Sequence, residues 1–262
     1  MTRQRILKIL PWALPATILC LWLMADATGR IEGHRIPRPG RVWETALHYF
    51  GPARHGKSFS GRFLSDFTSS GTRVLLGFGL AILVGLPLGV LSGRRLIAER
   101  FFSHFVNGIR AVPSIALFPL ALLWFGVGTP TTVFLIAVAA FFPIYLNTLS
   151  GIRGVSPLLL RAGAMLGVDR LRGTFLILLP AAMPQIRTGL RLGLGITWAY
   201  LVLGELTGVP DGLGAVIMDA RTTGRVDMIV VGIVTIAVIG RVSDRLLLVV
   251  MGLIAKSARR LP

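Results

Sequence analysis

The chain has 262 residues, of which 53% are hydrophobic and only 15% are charged, and its mean hydropathy is +0.74. A soluble domain needs many more charged surface residues, so this composition excludes one and indicates membrane-spanning helices. The net charge of +17 would favour nucleic acid in a soluble protein, but here the basic residues mostly flank apolar segments. In that position they bind lipid phosphates and set orientation, so we expect membrane lipid and no nucleic acid as a partner.

The first predicted element is an apolar segment that follows a basic start and ends at Ala25. The pattern also resembles a cleavable signal peptide, with Ala25-Asp26-Ala27 as the cleavage site. Because the segment is long enough to span a membrane and further spans follow, we predict a retained first helix. It contains the one cysteine, Cys20, which excludes an internal disulfide framework and a cysteine-rich metal site.

A polar segment, 27–65, follows and is predicted to be a loop with a helical piece over 42–50. Its residues 51–58, Gly-Pro-Ala-Arg-His-Gly-Lys-Ser, match the phosphate-binding P-loop pattern. A P-loop works only between a buried strand and a helix, and neither flank shows that context. We interpret the match as coincidental. Residues 1–65 are predicted to form a first helix with an external loop, and residues 66–262 the transmembrane core.

Five further apolar segments predict transmembrane helices over residues 71–92, 106–127, 131–149, 182–206 and 228–251. In the second span, Gly85, Gly89 and Gly93 recur at every fourth residue, which predicts close packing against another helix. Pro87 is expected to kink the same helix. The predicted fold is therefore an all-α, multi-pass integral membrane protein with about six spans.

Basic short loops predict the orientation. The N-terminus, the 94–100 turn, the 151–173 segment and the C-terminal tail carry an excess of Lys and Arg, so we place all of them, and both termini, in the cytoplasm. The 27–65 loop conflicts with this arrangement, because it carries seven Lys or Arg residues on the external side. Long loops count less in this rule, so we keep the assignment.

The segment between the fourth and fifth spans is short, basic and polar. Four arginines, Arg153, Arg161, Arg170 and Arg172, face Asp169 alone. Its spacing of Ala162-Gly163, Gly167 and Ile177-x-Leu179-Pro180 resembles the EAA loop of permease subunits from binding-protein-dependent ABC importers. Other segments resemble the nitrate, sulfonate and taurine branch of that family: 110–113, 119–128, 141–148, 189–191, Trp198, Glu205, 212–214 and the pair Gly240 and Asp244.

The resemblance implies a bacterial inner-membrane permease, most simply a homodimer, with two cytoplasmic ABC ATPases and an external substrate-binding protein. In that family the loop forms a cytoplasmic coupling helix, here between spans four and five. The residues that match it are Arg161, Ala162, Gly163, Gly167, Val168 and Asp169. The permease itself would carry out no catalysis and hold no cofactor, because ATP binds to the partner subunit. A small anion such as a sulfonate, taurine or nitrate is the implied substrate.

This sequence departs from the family pattern at Arg161, where an acidic residue is expected, and at Gly163, which replaces the second alanine. We hypothesise that the partner groove is more acidic than usual. The alternative is that these arginines bind anionic lipid and enforce orientation.

Glu205 lies at the end of an apolar segment, where a carboxylate is costly and usually paired. It is interpreted either as a gate or pathway residue near the external mouth, or as the ion-pair partner of Arg73, Arg221 or Arg225. Asn147, Tyr145 and Trp198 are candidates for lining the pathway, although aromatic residues near membrane interfaces are commonly anchors.

Two other functions remain open at this point. A secondary transporter or channel would need no ATPase, but it should carry ionisable residues in mid-span, and the sequence has few. A membrane-embedded enzyme would need a catalytic constellation near an interface, and no such pattern of carboxylates, histidines or nucleophiles is apparent in the sequence.

Overall fold

The computed structural model describes residues 2–29, 36–53 and 58–258, and all regular secondary structure in these residues is helical. This confirms the predicted all-α class. The helices are α1 (Thr2–Ala27), α2 (Pro39–Phe50), α3 (Phe63–Arg94), α4 (Leu96–Arg110), α5 (Phe118–Phe125), α6 (Thr129–Arg153), α7 (Pro157–Met165), α8 (Arg170–Gly173), α9 (Leu179–Glu205), α10 (Leu213–Thr222) and α11 (Val226–Ala258), with a 3₁₀ turn at Ser114–Leu117 and a π-helical turn at Thr174–Leu178. The chain divides into two compact units, Met1–Leu64 with Val216–Val234, and Ser65–Ala215 with Thr235–Pro262.

The first unit is built around α2, which begins with Pro39, a residue suited to a first helical turn because its missing N–H has no partner there. Tyr49 of α2 is buried and packs in an apolar cluster with Phe59, Val216 and Met228. The helix confirms the helical piece predicted over 42–50. Because a helix and not a strand precedes residue 51, the P-loop context is missing; residues 54–57 of the matching pattern lie outside the described residues.

Ion pairs and hydrogen bonds also hold the elements of this unit together. Arg225 pairs with Asp227 at 2.7 Å, and the Thr45 hydroxyl donates to the same carboxylate at 2.5 Å. Hydrogen bonding to Asp227 raises the pKa of Arg225 above its ordinary value. Arg62 binds Asp219 of α10 at 3.0 Å. The sequence predicted no helix between the spans at 182–206 and 228–251, so α10 is an element that it missed.

The second unit is a packed set of long helices in which glycines allow close approach. A Cβ on Gly89 of α3 would lie 2.7 Å from Cβ of Thr148 on α6, and one on Gly93 would lie 2.6 Å from Cβ of Ile152. Gly85 similarly contacts Ile144. The predicted glycine stripe therefore packs against α6, as proposed from its four-residue spacing.

The third predicted span is not one straight helix. The sequence predicted it over 106–127, whereas the structure ends α4 at Arg110 and resumes at Ser114, with a bend of 81° between the two parts. Pro113 explains the break, because proline has no N–H for the helical ladder and restricts the residue before it to extended backbone. The predicted segment is therefore a bent pair of helices, and its assignment as one span stays a prediction.

Three described helices, α3, α6 and α11, are long and apolar enough to cross a membrane, and the bent pair is a fourth candidate if it counts as one span. Helix α9 has 27 residues and is longer than α6, but Arg187 and Arg191 interrupt its apolar character. Helix α1 has 26 residues, of which 13–27 form an apolar helix. The number of six spans stays a prediction.

Candidate functional site

The predicted coupling segment folds into a helical elbow, which we define as residues 154–178, between α6 and α9. Ser156 caps α7 by accepting from the Leu158 N–H, and Pro157 occupies the first turn. At the other end, Gly167 has φ of +78° and donates to Ala164 O at 3.0 Å, while the next N–H reaches Gly163 O at 3.0 Å. This is a Schellman cap, which favours glycine because the left-handed conformation is strained for other residues.

The elbow returns to the membrane helix through two short turns. The Asp169 carboxylate accepts from the Arg172 N–H at 2.8 Å and so begins α8, and the π-helical turn leads directly into α9. Gly163 is buried against this return, because a Cβ there would overlap Cδ1 of Ile177 and lie 3.9 Å from Cβ of Val168. In this chain the Ile177 side chain occupies the space that the methyl group of an alanine at 163 would need.

The elbow exposes apolar side chains. Leu158, Met165, Leu166 and Leu171 are between 67% and 87% exposed, and Ala162 lies on the same exposed helix. Arg161 is also exposed and makes no hydrogen bond or ion pair with another described residue. An apolar surface with a cation at its centre is suited to bind another protein or lipid head groups.

A cavity of about 1180 Å³ separates the elbow from the ends of α3 and α6. Arg94 crosses it and donates to the Arg170 carbonyl at 2.9 Å, and Arg153 is paired with Glu99. The residues that line the cavity include Arg94, Arg95, Arg153, Arg161, Arg170 and Asp169. The basic character predicted from the sequence is therefore concentrated in one place.

Glu205 lies at the centre of a buried polar network in the second unit. Its side chain is 0% exposed and pairs with Arg73 at 2.7 Å, while Ser70 donates to both carboxylate oxygens, at 2.7 and 2.9 Å. Arg73 extends the network to the Asp211 carboxylate at 2.6 Å and the Asp211 carbonyl at 2.7 Å. Of the three arginines proposed for Glu205, the structure selects Arg73.

The Gly212-Leu213-Gly214 segment is part of the same network. The Gly214 N–H donates to Glu205 at 2.8 Å, and the Gly212 N–H donates to Asp66 at 3.1 Å. A Cβ on Gly212, whose φ is +128°, would lie 2.5 Å from the Glu205 carboxyl carbon. Glycine is required here because the backbone itself approaches the carboxylate.

A second ion pair joins the middle of α9 to the middle of α11. Arg191 Nε donates to Asp244 Oδ1 at 2.8 Å and Arg191 Nη2 to Oδ2 at 3.0 Å, a bidentate arrangement. Sequence reasoning noted both residues but missed the pair. The available signal was the presence of basic residues in the middle of α9 and of one carboxylate, Asp244, in the middle of α11.

The remaining candidates lie at helix contacts within this chain. Tyr145 is 0% exposed and donates to Ser92 at 3.1 Å; Asn147 donates to Pro143 O at 2.8 Å. Trp198 Nε1 donates to Ser243 at 2.9 Å and so joins α9 to α11. Their predicted role in lining the pathway stays a prediction, as does the gate role of Glu205.

The fold and these sites define an all-helical, multi-pass membrane protein that holds charged groups between its helices. Residues 85–259 match the family described as "Binding-protein-dependent transport system inner membrane component". The chain belongs to that family. It is therefore a permease subunit of an ABC importer, located in the inner membrane, and a transport component with no enzymatic activity of its own.

Curated relatives cover most of the chain. A putative aliphatic sulfonates transport permease protein, SsuC of Bacillus subtilis, is 35% identical over 231 residues, or 88% of this chain and 81% of the relative. The taurine transport system permease protein TauC of Escherichia coli is 32% identical over 86% of this chain and 80% of its own length. The nitrate import permease protein NrtB of Synechocystis is 29% identical over 94% and 88%.

The fold also resembles a solved one. A chain in the inward-facing structure of the MetNI methionine ABC transporter superposes with a TM-score of 0.58 at 20% identity, and the match covers 71% of this chain and 95% of that chain. At this level of identity the likeness shows a shared fold alone.

Proposed function

We propose that this chain forms the translocation pathway for a small organic or inorganic anion, and that an external binding protein delivers the anion. The sulfonate, taurine and nitrate permeases to which the chain is similar support this class of substrate. The net charge of +17 agrees with an anion as cargo, because a positive field attracts one.

The observation that carries the proposal is the elbow. It is capped at both ends and joined without a break to α9, so a push on α7 is transmitted to a long helix. Its exposed leucines and Met165 offer an apolar surface, and Arg161 a charge, to a cytoplasmic ATPase subunit. ATP-driven closure of two such ATPases would then move α6 and α9 and switch the pathway between inward and outward opening.

Two permease copies are needed if each contacts one ATPase, so we propose a homodimer. We also propose that the elbow and both termini lie in the cytoplasm, since the ATPase subunits bind there. Exposed apolar side chains along α3 and α11 would face membrane lipid, which supports a lipid-embedded assembly.

Reconstitution tests the function directly. The permease is co-purified with its ATPase and placed in liposomes with the binding protein and labelled taurine, an alkanesulfonate or nitrate. We expect uptake that requires ATP inside the liposomes and stops when the ATPase is omitted. Uptake driven by an ion gradient without the ATPase would contradict the proposal and favour a secondary transporter.

A further inference from the structure

Arg191 and Asp244 lie deep within the membrane helices. Arg191 is the thirteenth of the 27 residues of α9, and Asp244 the nineteenth of the 33 residues of α11. At 1.5 Å per residue, each is roughly 18 Å or more from both ends of its helix. The hydrocarbon core is about 30 Å thick, so these charges cannot reach lipid head groups easily, and they need a polar environment.

Positive charge is in excess around Asp244. The bidentate contact with Arg191 is supplemented by Arg241, whose Nη1 lies 3.6 Å from Asp244 Oδ2. Two guanidinium groups thus face one carboxylate. A site with a net charge of +1 in a medium of low dielectric attracts an additional anion.

The arginines are accessible in the chain. The side chains of Arg191 and Arg241 are 45% and 65% exposed, whereas Asp244 is only 20% exposed. The exposed residues three before, four after and eight after Arg191 lie on the same side of α9. They are small or polar, namely Thr188, Gly195 and Ala199. A Cβ on Gly195 would meet nothing within 4 Å, so there is open space one turn from Arg191.

This face differs from the lipid-compatible face of α11, where Val242, Leu246, Val249 and Leu253 are between 58% and 63% exposed. Ionisable residues inside membranes face the interior of the assembly or a water-filled space and not lipid. The face of α9 that carries Thr188, Arg191 and Gly195 is therefore the one that faces the pathway or another subunit.

We propose that Arg191 and Arg241 form an anion-binding subsite halfway along the translocation pathway, where their guanidinium groups bind the oxygens of one small oxyanion. The inference rests on the proposed function, which it deepens by naming the residues that meet the cargo. Because Arg191 Nε and Nη2 donate to Asp244, the donors for the anion are Arg191 Nη1 and the guanidinium group of Arg241. A guanidinium fork suits sulfonate and nitrate oxygens because it donates two parallel hydrogen bonds. Asp244 orients Arg191 and offsets part of the positive charge, so that the bound anion can leave.

Thiol labelling tests where this face lies. In the assembled importer with Cys20 changed to serine, Thr188→Cys is compared with Leu246→Cys on the apolar face of α11. A membrane-impermeant anionic methanethiosulfonate reagent should modify the cysteine at 188 and leave the one at 246 unmodified. Disulfide crosslinking of two copies at 188 without labelling would assign the face to the dimer interface, and no reaction would assign it to lipid. Either result would overturn the subsite.

Charge selectivity tests the arginines. We expect the anionic reagent to modify the cysteine at 188 faster than a cationic reagent of equal size, and Arg241→Gln to reduce that ratio on the order of tenfold. Arg241→Lys should keep most of the ratio. Arg245→Gln is the matched control, because Arg245 is one turn away on α11 and makes no ion pair with a described residue. An equal loss in both Gln variants would reject a local site.

Different results would contradict the anion subsite and the proposed import function. Labelling and its charge ratio do not depend on knowing the substrate, so a failed subsite appears as a missing preference in an importer that still takes up anions. A failed anion-import function appears as absent uptake of taurine, alkanesulfonate and nitrate by the unmodified importer. Where uptake occurs, Arg241→Gln should lower it at least tenfold while ATP hydrolysis persists; unchanged uptake would contradict the subsite.

Discussion

Replacing Glu205 by glutamine tests whether the buried network stabilises the permease. Both carboxylate oxygens accept hydrogen bonds: Oε1 from Arg73 and Ser70, and Oε2 from Ser70 and Gly214 N–H. Glutamine keeps the volume but has only one acceptor oxygen. Whichever way the amide is oriented, its NH₂ group faces Arg73 or the Gly214 N–H, and a buried donor loses its acceptor.

The magnitude follows from these contacts. Losing a charge-assisted hydrogen bond costs about 1.5–3 kcal/mol, and leaving a buried donor unsatisfied costs about 1–3 kcal/mol. Removing one partner of a buried ion pair typically lowers the free energy of unfolding by about 3–5 kcal/mol. Because Arg73 keeps Asp211 as a partner, we expect Glu205→Gln to lower the free energy of unfolding by about 3 kcal/mol.

Unfolding of the purified permease by SDS in mixed micelles, followed by tryptophan fluorescence, measures this change. Glu99→Gln is the matched control, because Glu99 pairs with a half-exposed arginine, Arg153, and should lose less than about 1 kcal/mol. A double-mutant cycle with Arg73→Met should give a coupling energy above about 1 kcal/mol. If Glu205→Gln proved no more destabilising than Glu99→Gln, the inferred strength of the network would be wrong.

Three further substitutions test other parts of the structure. Gly89→Ala should destabilise the permease by about 1–3 kcal/mol, because the added Cβ would overlap α6. Gly79→Ala on the same helix is the control: its Cβ meets nothing, so it should be neutral or slightly stabilising. Equal effects of the two substitutions in SDS unfolding would refute the helix contact. Gly212→Ala should cost at least about 2 kcal/mol in the same assay, since it adds strain at φ of +128° and meets the Glu205 carboxylate. Arg161→Glu should weaken co-purification with the native ATPase and lower uptake, and unchanged assembly would reject the acidic-groove hypothesis.

Local sequence patterns predicted the helices well and their interruption less well. Glycine spacing in α3 identified the face that packs on α6, because residues four apart lie on one side of a helix. The apolar pattern through 106–127, in contrast, concealed the bend at Pro113. A hydropathy pattern does not distinguish a proline kink from a proline break, and the outcome depends on packing of the flanking helices.

Pairing of charges could not be predicted from the sequence. Glu205 had three possible partners, and Arg225 instead binds Asp227 within the first unit. Arg73 is 132 residues from Glu205, so only the packing of α3 beside α9 brings them together. The Gly-Leu-Gly motif at 212–214 was visible in the sequence, but its reason, close approach of backbone N–H groups to a carboxylate, needed the structure.

The charged cluster around Glu205 has an excess of carboxylates and the cluster around Asp244 an excess of guanidinium groups, and this difference suggests different roles. Around Glu205, the carboxylates outnumber the single guanidinium of Arg73, and backbone N–H groups at 212 and 214 complete their hydrogen bonding. That network repels an anion and offers it few free donors. Around Asp244, guanidinium groups are in excess and half exposed. A buried network whose hydrogen bonds are all made contributes to folding, whereas an accessible group with free donors contributes to binding. We therefore expect Glu205 variants to change stability without changing anion preference. Arg241 variants should change anion preference without changing stability.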